Sequence, residues 1–542
     1  VFYDLKTNKV VKFHDKVETL IAYDSESLIS ILENIEKYTQ KGYFIAGFIS
    51  YEAGCYILPK KVYHKKLKYP LLHFDVFSKI EEEDIEIPDI TNGCIYDVSY
   101  TENEDEYNEK IANIKSHLKN GDTYQTNYTI SMNFSANLKS DELFYALCKE
   151  QKSEFAALLQ YDDYKILSFS PELFLCKRGN LLTSKPMKGT FGINESDDSI
   201  LRNEKVISEN SIIIDLIRND MSIIAEKGSV EVENPFEIQN FGTLRQLIST
   251  VKCEVRDKSF YDIIRALFPC GSITGAPKIK TMEIIAENES RPREMYCGAI
   301  GYIMPNNDFC FNVAIRTIVL KNDKYSMGIG GGILYESCQK DEFNECKLKS
   351  QFIRKVNKFD ILEEVKIVNS QVQDYELHIE NLKYKADYFG FNFIKPILPS
   401  LKDCSSGILQ IMLSQDGKYS YFIKDYESCV KKVEILDIEK DFSKILGRCS
   451  DISGKRSDIF DIIMFNDGGI IANTARGCKV FIKKDDMYFS PICKEKIVTN
   501  ISSKIIVDNL DARVASMTID ELKSADFVYL LSDIYGFFEV KI

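Results

Sequence analysis

The stretch LLTSKPMKGTFG, Leu181 to Gly192, is where the reading of the fold begins. A β-type run, Leu181 to Thr183, leads through Pro186 and Met187 to Lys188, followed by Gly189 and Thr190. Gly189 frees the backbone to turn sharply, which predicts Lys188 where a strand ends and a loop begins. Its ammonium group either solvates a sheet edge or faces something that reacts. Just upstream, LFLCKRGNLLTSK (173–185) reads as a hairpin turning at Arg178-Gly179-Asn180. Just downstream, NEKVISENSIIIDLIRND (203–220) reads as a helix, as does KDEFNECKLKSQFIRKVN (340–357).

From Tyr124 onward the pattern is mostly strands with occasional helices. Before it, SESLISILENIEKYTQKG carries Leu28, Ile31, Leu32 and Ile35 at helical spacing. GYFIAGFISYEAG (42–54) reads as a buried strand, and the acidic KIEEEDIEIPDITNG (79–93) as a surface linker. TENEDEYNEKIANIKSHLKNG is an amphipathic helix ended by Gly121. After Asn357 a new block begins with a strand followed by a helix. The expected division is therefore 1–357, with a core of about 96–352, and 358–542.

The 542 residues are 44% hydrophobic and 28% charged, ordinary soluble globular material for two or more domains. Net charge is −13 and no basic tract interleaves with aromatics, so nucleic acid is not an expected partner. The 15 cysteines, spread from Cys55 to Cys493 without a C-x-x-C pair, suggest a reducing setting. The opening VFYDLKTNKVVKF has no long apolar run, nothing approaches membrane-spanning length, and cytoplasmic is the simple reading. No histidine lies between residues 118 and 377, which excludes Ser-His-Asp and His-rich zinc chemistry there.

Chemistry in that region falls to carboxylates, Lys, Tyr or a metal. Glu342, Glu345 and Lys349 are spaced i, i+3 and i+7, one face of a helix. Such carboxylates form a plain solvated face or share a divalent cation; Mg²⁺, which favours oxygen and keeps waters, suits a ligand bearing its own carboxylate. Glu209 faces solvent or supplies a further ligand. GIGGGI, Gly328 to Ile333, reads as a glycine turn whose N–H groups can bind a carboxylate, but its layout is not G-x-G-x-x-G. PCGSITGAPKIKTMEII (269–285) enters a helix at about Pro277, where Ser272 and Thr274 offer either an anion seat or an ordinary cap.

Singly these signals are soft, but their order is specific. GDTYQTNYT, SFSPELF, KPMKGT, SENSIIIDLIRND, PCGSITGAPKIKTMEII, YCGAIGY, NVAIRTIVL, GIGGGILYES and DEFNECKLK follow one another along the chain. In this order they resemble the chorismate-utilising enzymes, and within them component I of the aminodeoxychorismate synthases. The resemblance covers about residues 1 to 352. It implies an α+β, anthranilate synthase-like fold with two large antiparallel sheets flanked by helices.

It also implies a reaction. Anthranilate synthases carry a small apolar residue where this chain has Lys188, and the aminodeoxychorismate synthases carry lysine. The resemblance makes Lys188 a nucleophile that adds to C2 of chorismate as the C4 hydroxyl leaves; ammonia then enters at C4 and expels it. Direct attack of ammonia at C2 would give the anthranilate-type product, so a covalent blocker redirects nitrogen. The resemblance makes Glu172 the general acid/base, and Glu209 and Glu345 Mg²⁺ ligands with Glu342 acting through water. It places Gly189, Thr190, Thr274, Tyr302, Arg316, Gly331 and Lys349 around the substrate, a guanidinium suiting a planar carboxylate. Gln246 stands where relatives often have histidine. Ammonia is expected from a separate glutamine amidotransferase subunit, and the pathway is that of 4-aminobenzoate and folate. Anthranilate or isochorismate synthesis on the same fold is the rival.

Residues 358–542 resemble a smaller α+β domain, the class IV pyridoxal-phosphate enzymes and specifically aminodeoxychorismate lyase. The cues are FDILEEV, HIENLKYKADYFGF and DIIMFNDGGIIANTARGCKVFI. Lys455 is the candidate Schiff-base lysine. The cofactor contacts are eroded: Asn381 replaces a phosphate-binding arginine, Asn473 a glutamate, and KIVTNISSK a phosphate turn. A bifunctional chain releasing 4-aminobenzoate is the alternative; the erosion favours a non-catalytic interaction module without pyridoxal phosphate.

Overall fold

The computed structural model describes residues 1–58, 66–90, 93–192, 194–241, 244–402 and 404–424. It also describes 433–437, 461–465, 471–474, 479–484, 487–491, 513–532 and 536–540. The chain forms two units, Val1–Ile90 with Tyr100–Ile353, and Thr91–Ser99 with Arg354–Ile542. Among the described residues no helix is long and apolar enough to cross a membrane.

The early strands are β1 (Phe2–Asp4), β2 (Lys9–Ala22), β3 (Phe44–Ile49), β4 (Leu72–Asp84) and β5 (Ile95–Tyr100). Next come β6 (Gln125–Ala136), β7 (Phe155–Gln160), β8 (Lys165–Ser170), β9 (Leu173–Arg178), β10 (Leu181–Lys185) and β11 (Met187–Gly192). Then follow β12 (Glu231–Phe241), β13 (Leu244–Glu254), β14 (Gly275–Ala276), β15 (Ala299–Ile303), β16 (Phe309–Val313), β17 (Thr317–Lys321) and β18 (Lys324–Ile333).

In the first unit one antiparallel sheet runs β2-β4-β3-β15-β16-β9-β10-β13, with β11 and β12 also pairing to β13. The other runs β7-β8-β17-β18-β6-β14. Short β1 pairs with β2 of one and β7 of the other, joining them. The expected pair of large antiparallel sheets is present.

Helices cover these sheets as their periodicity dictates. The helix Ser25–Thr39, capped by Asp24, buries Leu28, Leu32 and Ile35. They join a core with Ile45 and Phe74 of the sheet and Ile213, Ile217 and Met221 of the helix Glu204–Ser222. Each such side chain contributes about 1.5–3 kcal/mol by leaving water.

Three local expectations change. The acidic run after Ser78 is not a linker at its start: Lys79–Asp84 extends β4 against β2. Cross-strand charge pairs accompany it, Lys9 to Asp84 at 2.9 Å, with Lys12 bonded to Glu83. Lys188 lies inside β11 rather than at a strand end, opposite Leu247. The chain breaks at Pro186 instead, and Gly189 (φ +74°) makes a bulge before Phe191. GIGGGI is not a turn but the end of β18, paired to Thr126–Ser131 of β6.

In the second unit β19 (Ile361–Val368) pairs with β20 (Gln371–Val372) and with β21 (Ser406–Leu413), which pairs with β22 (Tyr419–Lys424). Alternate residues of β19 are buried, and Val365 and Ile367 pack with Leu382, Ala386 and Phe389 of the helix Tyr375–Phe389.

Candidate active site

A cavity of about 630 Å³ opens in the first unit, and Lys188, Glu172, Glu209, Arg316, Glu345 and Lys349 all line it. Its floor is β18. A methyl on Gly328 would sit 2.1 Å from the Tyr296 ring, and one on Gly330 would sit 2.3 Å from the Tyr128 carbonyl. One on Gly332 would reach 2.4 Å from Gln125 Nε2 and 3.8 Å from Lys188 Nζ. Glycine is required along this strand because neighbours from both sides come to the backbone itself.

Lys188 is aimed by the bulge that follows it. At Gly189 a Cβ would meet Val206 Cγ1 at 2.5 Å, so the glycine also lets the helix Glu204–Ser222 come close and carry Glu209 to the cavity. Lys188 Nζ donates to the Ser272 carbonyl at 3.0 Å. The same serine's hydroxyl donates to Glu172 Oε1 at 2.6 Å, leaving the Cys270 thiol to donate to Ser272 Oγ across 3.2 Å. One buried residue therefore touches both the amine and the carboxyl.

Glu172 opens β9, its carbonyl accepting the Val313 N–H at 3.0 Å. Its carboxyl is pushed up to about 7 by burial, against the Ser272 hydrogen bond and the nearby Lys188 charge. Such a group changes protonation near neutrality, as an acid/base must. Burial pushes the Cys270 thiol up to about 12, so it stays protonated as a donor.

The rest of the charged lining is basic and acidic together. Arg316 occupies left-handed backbone (φ +48°) and donates through Nη1 to Gln151 Oε1 at 2.6 Å; burial lowers it to about 10, still a cation at neutral pH. Lys349 Nζ bonds to Glu345 at 2.7 Å and to the Gly330 carbonyl at 2.8 Å. Burial opposes its charge, but Glu345 more than compensates and holds its pKa above the usual value. Glu342 Oε1 accepts the Ser337 hydroxyl at 2.7 Å, and its Oε2 lies 3.2 Å from where a Cβ on Gly331 would be.

Glu209, Glu342 and Glu345 thus line one cavity from two helices, although among the described residues no three His, Cys, Asp or Glu side chains form a ready metal cluster. Their oxygen-only chemistry fits Mg²⁺, which takes a few carboxylates and keeps the rest of its shell as water and ligand oxygen.

Two expected residues lie elsewhere. Tyr302 shares a face of β15 with Ile300, and both line a second cavity of about 430 Å³. There the Tyr302 hydroxyl bonds Arg178, and its ring stands 5.2 Å from Phe2. Thr274 is fully buried with its hydroxyl directed at the Cys270 and Gly271 carbonyls, 3.1 and 3.2 Å away, so it shapes the turn and does not line the cavity. Thr190 follows Gly189 in β11, and its side chain lies outside the described residues. The aromatic wall is Tyr296, which the sequence reading missed; it begins the YCGAIGY segment that Tyr302 ends, and it lies before β15 whereas Tyr302 lies within it. Asn127 and Gln246 line the cavity as well.

In the second unit, buried Glu363 of β19 accepts His378 Nδ1 at 2.7 Å and Asn381 Nδ2 at 3.2 and 3.0 Å, and bonds Lys385 Nζ at 2.5 Å. The three donors stand at i, i+3 and i+7 on one helix. Asn381 is where a phosphate-binding arginine was expected, and here it faces a carboxylate, which would repel a phosphate. These residues do not fit pyridoxal phosphate. Lys455, the side chain of Asn473 and the KIVTNISSK segment lie outside the described residues.

Residues 91–355 match the family model of chorismate binding enzymes. Aminodeoxychorismate synthase component 1 of Bacillus subtilis is 35% identical over 250 residues, 45% of this chain and 53% of that protein. The chain thus spans about half the length of this curated relative. Anthranilate synthase component I from Streptococcus pneumoniae shares the fold, with a TM-score of 0.57 at 22% identity over 64% of this chain and 92% of its own. A fold IV transaminase from Curtobacterium pusillum aligns with 34% of this chain and 78% of its own at 15% identity, and its TM-score of 0.29 is too low to carry the fold of that region. Residues 91–355 are a chorismate binding enzyme domain.

Proposed function

We propose that this chain aminates chorismate at C4, giving 4-amino-4-deoxychorismate for 4-aminobenzoate and folate synthesis, through a covalent adduct on Lys188. The observation that carries the reading is the approach of an amine and a carboxyl that titrates at about 7, joined through Ser272, at a cavity that Arg316 and Lys349 also line.

Chorismate is a dianion, and the two cations would meet its carboxylates. Lys188 Nζ, once deprotonated, bonds to C2; the ring double bonds shift, and the C4 hydroxyl leaves as water with a proton from Glu172. Ammonia then bonds to C4, the double bonds return, and the C2–N bond to Lys188 breaks. The sum is chorismate plus ammonia giving aminodeoxychorismate plus water. Glu209 and Glu345, with Glu342 through a water, would hold Mg²⁺, which supplies Lewis-acid polarisation of the ring carboxylate. Ammonia would come from a separate glutamine amidotransferase subunit.

For residues 358–542 we propose a non-catalytic domain. The Glu363 cluster supports this, because it commits the helix positions expected to hold a phosphate to an internal carboxylate.

Incubation with chorismate, ammonium and Mg²⁺ tests the reading by its product. Aminodeoxychorismate is expected; anthranilate or isochorismate as main product overturns it.

A further inference from the structure

The second cavity holds a pair of thiols that the proposed reaction does not use. Cys176 of β9 and Cys310 of β16 are direct partners in antiparallel register. Directly opposite residues project from the same face, with Cα atoms about 4.5–5.5 Å apart. That separation falls within the span of about 4.4–6.8 Å that a disulfide bridges. Both thiols line the cavity with Arg178 and Tyr302 and are partly exposed, whereas Cys55, Cys148, Cys253, Cys270, Cys297 and Cys346 are buried.

The two sulfurs are not equivalent. Cys310 lies directly across the ladder from Cys176. The neighbouring Cys310 and the Arg178 guanidinium draw Cys176 below its usual value, which favours its thiolate. Cys310 is held well above its usual value by its neighbour Cys176 and by burial, and remains a thiol. One sulfur is prepared to attack and its neighbour to resolve.

We propose that Cys176 and Cys310 form a peroxide-reactive dithiol that closes to a disulfide across the β9–β16 ladder. The Cys176 thiolate attacks one oxygen of hydrogen peroxide; the O–O bond breaks, hydroxide leaves, and Cys176 becomes a sulfenic acid. The Cys310 sulfur then attacks the Cys176 sulfur; the S–S bond forms, the S–O bond breaks, and water departs with the Cys310 proton. Two thiols are oxidised, one peroxide is reduced to two waters, and an added dithiol reverses the bond by exchange.

The test treats the full chain with hydrogen peroxide and maps its cysteines by non-reducing digestion and mass spectrometry. A Cys176–Cys310 peptide pair, lighter by two hydrogens and restored by dithiothreitol, is expected at doses that leave Cys55 and Cys253 reduced. In Cys310→Ser, Cys176 is expected to accumulate as a sulfenic acid trapped by a 1,3-diketone. In Cys176→Ser, Cys310 is expected to stay reduced. Oxidation of the exposed Cys338 with Cys176 left reduced overturns the proposal, as does sulfenic acid persisting at Cys176 in the unaltered chain. These readouts do not involve chorismate, so they stand apart from the proposed activity.

Discussion

Glu172 and Ser272 stand 2.6 Å apart, the serine hydroxyl donating to the carboxyl Oε1, and both side chains are closed off from bulk water. The hydrogen bond stabilises the ionised carboxylate, so it works against the burial that raises Glu172. Ser272→Ala is expected to move the alkaline limb of the kcat profile, set by Glu172 losing its proton, upward by about 1–2 pH units. The KM for chorismate should change little, and Ser272→Thr should restore most of the original profile. An unmoved limb would mean that this bond does not set the titration.

Lys188→Ala removes the only amine touching the Ser272 carbonyl at 3.0 Å among the described residues. Amination should fall by on the order of a thousandfold or more while chorismate still binds. The complementary measurement is intact mass of the unaltered chain with chorismate and Mg²⁺ but no ammonia, where an adduct at Lys188 is expected. Undiminished turnover by the variant would remove the covalent role.

Stability should depend on pH in a defined window. Glu172 and Glu52 are both buried, and burial raises each from 4.5 to about 7; Glu52 accepts the Arg293 and Glu294 N–H groups at 2.7 and 2.9 Å. Between these values the unfolded chain has released protons that the folded chain keeps. Stability is therefore fully present below pH 4.5, falls as pH rises to about 7, and then levels off. Each carboxyl contributes up to about 3 kcal/mol to this fall. Denaturant titrations of the unaltered chain and Glu172→Gln across the window check it; the variant should lose about half of the slope. Parallel curves would refute the assignment.

Lys385→Met should destabilise the second unit by about 3–5 kcal/mol, because Glu363 keeps His378 and Asn381 but loses its buried ammonium partner. Pyridoxal phosphate offered to the unaltered chain should leave no absorbance that borohydride fixes at Lys455. A fixed adduct there would overturn the non-catalytic reading.

What was legible in the sequence depended on how locally each feature is determined. Ser25–Thr39 and Glu204–Ser222 are set by their own periodicity and caps, and the hairpin at Gly179 by its turn chemistry. Gly328–Gly332 looked like a turn because several glycines resemble a loop; what makes them a strand is β6 alongside and the Tyr296 ring above, neither visible locally. The carboxylates and Lys349 were found because helix spacing puts them on one face. Tyr296 was missed because it lies in the turn before β15, and what brings its ring to the cavity is its packing over Gly328 of β18, while Tyr302, inside β15, lines the other cavity.

The glycine floor carries a consequence for what this chamber can become. At Gly328, Gly330 and Gly332 no side chain is left to trim, so substitution at these three positions can only shrink the space. Any widening toward bulkier rings has to arise where side chains remain to be shortened, at Met327 and Ile329 of the same strand or on the helices that carry Glu209 and Glu345.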